Sequence, residues 1–108
     1  MILILGGAHM GKATWAAAKY GLRAEDFCDL RQGFVPHKRC YCHLEAIDEL
    51  PPFPEDAIVI ARELGSGIVP MDADLRQKRE RHGAHLQILA RQADRVVRIF
   101  CGLAEVLK

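Results

Sequence analysis

Apolar residues along the chain fall into short continuous runs separated by charged or glycine-containing stretches. Ile2-Leu3-Ile4-Leu5 opens the pattern, and Ala57-Ile58-Val59-Ile60-Ala61 repeats it in mid-chain. Unbroken apolar runs of this length mark strands buried on both faces, as in parallel sheets. Between and after them the period changes. Alanine-rich residues 12–20 predict a helix that stops at Gly21, where no side chain opposes a left-handed turn. Residues 25–30 predict a strand. Leu44, Ile47 and Leu50 recur in steps of three and predict a helix over 41–50, ended by Pro51-Pro52-Phe53-Pro54. Leu86, Leu89, Ala90 and Ala93 give residues 72–93 one apolar helical face. Gly83 interrupts that helix at a cost of about 1 kcal/mol relative to alanine, which points to close packing or a bend. Residues 96–100 and 103–107 predict two strands joined at Cys101-Gly102, near enough for an antiparallel hairpin.

Strands alternating with helices predict an α/β domain, a mostly parallel sheet flanked by helices with a C-terminal antiparallel edge. At 108 residues, a single domain over 1–108 is expected.

The first strand runs into Gly6-Gly7-Ala8-His9-Met10-Gly11-Lys12-Ala13-Thr14. Gly6, Gly11 and Lys12 match the phosphate-binding loop pattern, glycine, four residues, glycine, lysine, then serine or threonine. Glycines leave backbone N–H groups open to phosphate oxygens, Lys12 supplies a point charge, and the helix adds its positive end. The final hydroxyl, an ordinary magnesium ligand, is replaced by Ala13. Thr14 lies one residue too late, on another side of the turn. The loop therefore predicts phosphate binding with an altered metal site; a purely structural strand-to-helix turn is the alternative.

Ligands of open α/β sheets sit beyond the carboxyl ends of strands. The second apolar strand ends in Arg62-Glu63-Leu64-Gly65-Ser66-Gly67. If the two strands are neighbours, Glu63 faces the phosphate site, where it could organise magnesium or take a proton. A surface Arg62–Glu63 pair is the competing reading. Arg76 and Arg79 share a helical face and could clamp phosphates or form a solvated stripe.

Charge narrows the partners. Fifteen basic and fourteen acidic residues nearly cancel, which argues against general nucleic-acid binding. No apolar run reaches membrane-spanning length, and no secretory signal is visible, so a cytoplasmic protein is expected. Cys28, Cys40, Cys42 and Cys101 are then expected as free thiols. Cys40, Cys42 and His43 lack the paired spacing of a zinc site, so no metal site is assigned to them.

Taken together, these residues resemble the bifunctional adenosylcobinamide kinase/adenosylcobinamide-phosphate guanylyltransferase family. Gly6-Gly7-Ala8 with Gly11-Lys12 is similar to that family's N-terminal loop. Glu63-Leu64-Gly65-Ser66-Gly67-Ile68-Val69-Pro70 resembles its Asn-Glu-Val-Gly-x-Gly-Ile-Val-Pro stretch. Arg76, Arg79, Gly83, Gln87, Leu89-Ala90 and Ala93-Asp94 fall where the family has the same residues. Cys101-Gly102-Leu103 through Leu107-Lys108 is similar to its closing segment. The resemblance implies a RecA-like P-loop fold, often trimeric, that binds ATP or GTP with Mg2+. It implies phosphoryl transfer to the hydroxyl of a cobinamide-like substrate, then guanylyl transfer through a histidine. Lys12 and Glu63 become the catalytic candidates, with Gly65, Gly67, Arg76 and Arg79 in a secondary cleft. Residues 21–56 replace a longer family segment, and neither His37 nor His43 reproduces the spacing of its histidine. Arg62 stands in place of asparagine. A nucleotide-binding or assembly protein without catalysis is the alternative function.

Overall fold

The computed structural model describes residues 1–8, 10–63 and 72–108. Among them, six strands form one sheet in the order β2-β3-β4-β1-β5-β6. β1 (Ile2–Gly6) lies between β4 (Ile58–Arg62) and β5 (Arg95–Phe100), parallel to both. β2 (Phe27–Asp29) and β3 (Cys40–Cys42) continue the parallel array beyond β4. Only β6 (Leu103–Val106) is antiparallel, paired with β5 across the Cys101-Gly102 turn. The expected mostly parallel α/β sheet with an antiparallel C-terminal edge is thus observed.

Alternation along each strand divides the core in two. Leu3, Tyr41, Val59 and Val96 face helix α2 (Ala73–Gln92) through Leu89 and the capping residue Ala93. Ile4, Cys40, Ile60 and Val97 face helix α1 (Lys12–Tyr20) through Ala16, Trp15 and Tyr20. One helix on each face explains why β1 and β4 are apolar at nearly every position. Gly21 ends α1 in the left-handed conformation, its N–H donating to Ala17 O. Asp72 caps α2 by accepting from the Asp74 and Leu75 N–H groups, satisfying two of the donors that a helix start leaves open.

The helix expected over 41–50 does not form. Tyr41 pairs with Val59 inside the sheet, and its buried hydroxyl donates to Val35 O at 2.8 Å. His43 then turns left-handed at φ 63°, and a single 3₁₀ turn follows over Leu44–Ala46. The three-residue spacing of Leu44 and Ile47 thus belongs to a tight turn, because burying Cys40 and Tyr41 between β2 and β4 outweighs local helical preference. Gly83 also departs from expectation: a Cβ there would meet nothing within 4 Å among the described residues. Close packing does not explain it.

The far edge is open. Phe100, Leu103, Val106 and Leu107 are all more than half exposed on or beside β6. No described helix is long and apolar enough to cross a membrane.

Candidate nucleotide site

The loop after β1 is shaped by contacts that only glycine permits. A Cβ on Gly6 would lie 2.6 Å from the backbone oxygen of Ile99 on β5. Gly11 takes φ 83° immediately before α1, a left-handed conformation that L side chains rarely adopt. The β5–β6 turn closes against the same loop, with Gly102 N–H donating to Met10 O at 3.1 Å. The loop is therefore clasped from the hairpin side and open on the other.

The open side is a cavity of about 540 Å³. Ala8, Met10, Gly11, Lys12, Ala13 and Thr14 form one wall. The opposite wall comes from the ends of β3 and β4 and the turn between them, with Cys42, His43, Glu45 and Arg62. Gly6 and Gly7 lie at the strand end beneath it, and His9 falls outside the described residues.

Lys12 is half-buried, and its Nζ donates to Gly7 O at 2.6 Å, holding the side chain across its own loop. Burial pulls its ammonium below the ordinary lysine range. Glu45 opposes that effect, Arg62 adds to it, and Glu63 opposes it again. The net arrangement is a desolvated cation beside two carboxylates and a second cation.

Glu45 organises the facing wall. Its Oε1 accepts the Arg62 backbone N–H at 3.0 Å, and its Oε2 lies 3.4 Å from His43 Nδ1. A carboxylate beside Nδ1 favours a proton on that nitrogen and orients the ring. Arg31 also reaches the cavity, held by Asp29 through Nη2 at 2.7 Å. That hydrogen bond keeps the Asp29 carboxyl low, at about 2. Behind β4, buried His82 donates from Nε2 to Arg62 O at 2.5 Å and ties α2 to the strand end.

Along its length, this geometry carries a family signature. A family model described as cobinamide kinase / cobinamide phosphate guanyltransferase matches residues 37–107. The chain belongs to this family. No curated protein matches the chain. Membership ties it to the nucleotide-dependent chemistry of cobalamin biosynthesis and to the P-loop fold class. The match takes in the cavity wall built by Cys42, His43, Glu45 and Arg62, whereas the β1–α1 loop lies upstream of it.

Several candidate residues of this CobU-family chain fall away from the cavity. Glu63 donates its backbone N–H to Gly6 O at 3.0 Å, but its carboxylate is paired with Arg98 Nε at 3.2 Å. Among the described residues lining the cavity, Glu63, Arg76 and Arg79 are absent. Arg76 is exposed on the first turn of α2 and Arg79 is half-buried further along. Gly65 and Gly67 fall outside the described residues. Of the two middle histidines, His43 lines the cavity, while His37 is exposed in a left-handed turn.

Glu45 was not legible as a site residue, because its stretch reads as the outside of a helix. His82 left a fainter trace: it extends the Leu86, Leu89, Ala93 stripe by one helical turn. Among the described residues, magnesium fits the donor set poorly. Ala13 offers a methyl where the hydroxyl ligand belongs, both Glu45 oxygens and one Glu63 oxygen are engaged, and Thr14 is the remaining side-chain oxygen on the loop wall.

Proposed function

We propose that the chain binds a purine nucleoside triphosphate in the β1–α1 loop and transfers its terminal phosphoryl group to the hydroxyl of a cobinamide-like acceptor. The observation that carries this reading is the placement of Lys12. A desolvated ammonium stands at the open face of a glycine loop, at the start of α1 and the carboxyl end of β1. Backbone N–H groups of 6–14 hold the phosphates, and Lys12 leaves Gly7 O to meet the transferred group. The acceptor oxygen forms the new bond to phosphorus as the bridge to the nucleoside diphosphate breaks. The acceptor's proton passes to His43 Nε2, the imidazole being oriented by Glu45 at Nδ1. Glu63, within electrostatic reach of Lys12, helps keep it charged.

The test is incubation with adenosylcobinamide and either GTP or ATP, reading phosphoryl gain on the corrinoid by mass spectrometry. Turnover in the wild type, lost at least about 100-fold in Lys12→Ala, supports the reading. Nucleotide binding without any phosphoryl gain supports the alternative, an assembly or sensing protein of the same fold, which Ala13 and the Glu63–Arg98 pair favour. The exposed β6 edge supports a homo-oligomer, which light scattering on the purified protein tests.

A further inference from the structure

Among the described residues, the cavity offers few free oxygen ligands for magnesium but carries positive charge. Arg62 ends β4 directly beside Gly6 of β1 and lines the same cavity as Lys12. Its charge is near enough to work against protonation of Lys12. Among the described residues no ion pair or hydrogen bond engages its guanidinium, whereas Arg31, the other arginine on the cavity, is tied to Asp29 at 2.7 Å. Its backbone, by contrast, is fixed on both sides, the N–H by Glu45 and the carbonyl by His82. A rigid base therefore carries an uncommitted planar fork of donors, the shape that suits phosphate oxygens. Two cations facing one cavity repel until a polyanion lies between them.

We propose that Arg62 is a phosphate-binding residue that supplies from the chain itself the positive charge a P-loop ordinarily draws from magnesium, so that triphosphate binding here is metal-independent. This rests on the nucleotide reading above and goes beyond it. Ala13 and Arg62 are then complementary: the loop offers no hydroxyl at position 13, and the neighbouring strand end carries a cation.

Titration calorimetry with GTP and with ATP, each in excess EDTA and in excess Mg2+, tests it on the full chain. The wild type should bind with affinities that agree within about threefold between the two buffers, less than one hydrogen bond to a charged group is worth. Arg62→Gln should weaken binding in EDTA by about 10–100-fold, the range for losing a hydrogen-bonded charge. Arg62→Lys, which keeps the charge but not the fork, should fall between. Arg62 is exposed, so an unchanged thermal midpoint of Arg62→Gln without nucleotide would show that folding is intact. Full binding by Arg62→Gln, with binding lost in Lys12→Ala, would overturn the Arg62 role and leave the phosphate site standing. Wild-type affinity that collapses in EDTA would also overturn it. Absence of binding by the wild type in either buffer would sink the nucleotide reading and this proposal with it.

Discussion

Gly6→Ala isolates the closest approach in the fold. The added Cβ would lie 2.6 Å from Ile99 O, whereas ordinary contact begins near 3.4 Å, so about 0.8 Å must open between two backbones. β1 cannot simply slide, because Ile2 to Leu5 are paired with β5 on one side and with β4 on the other. The new methyl would also press on Lys12 Cδ and Cγ at 3.2 and 3.3 Å, although that flexible chain can move. Overpacking of this kind costs about 1–3 kcal/mol. For a domain of this size that is a fall in melting temperature of about 4–12 °C. Urea denaturation followed by circular dichroism would measure it, with Gly7→Ala as the matched control. At Gly7 the added Cβ meets Met10 Cγ at an ordinary 3.7 Å, and the expected change is within about 0.5 kcal/mol. If Gly6→Ala were as stable as Gly7→Ala, the argument that β5 forces glycine at this position would fail.

Gly83→Ala should move stability the other way, by about 0.5–1 kcal/mol, since helix propensity improves and the site is open among the described residues; a lower urea midpoint would refute this. His85 is held below the ordinary histidine range, first by burial and then by His82 and Arg81. Its contribution to stability is therefore complete above the unfolded value, near 6.5, and is lost as pH falls through the lowered folded value. Urea midpoints at pH 7.5 and 5.5 should differ more in the wild type than in His85→Gln, and equal differences would count against the shift. Cys40 is wholly buried, and hydrogen bonding to it holds the Cys42 thiol, which lines the cavity, below the ordinary thiol range. Iodoacetamide should therefore label Cys42 before Cys40, and GTP should slow that labelling several-fold; peptide mapping that shows no protection would separate the nucleotide from this cavity.

The strands β1, β4 and β5, the helices α1 and α2 and the antiparallel edge were readable from the sequence, because each announces itself by local spacing. A run buried on both faces needs an unbroken apolar stretch, and a helix docked on a sheet needs one apolar stripe. The glycine–lysine loop was equally plain, since backbone access and the left-handed turn at Gly11 restrict which residues can stand there. What lies opposite the loop was not readable. Tyr41 and its neighbours have a helix-like spacing, and only the vacancy between β2 and β4 makes them a strand. That one exchange brings His43 and Glu45 to the cavity, whereas Glu63, at the end of β4, pairs with Arg98 on β5. Residue types and their order along the chain set the glycine–lysine loop. Strand order is a property of long-range pairing, and it decided that Glu45 and Arg62 line the cavity with Lys12 while the Glu63 carboxylate pairs with Arg98.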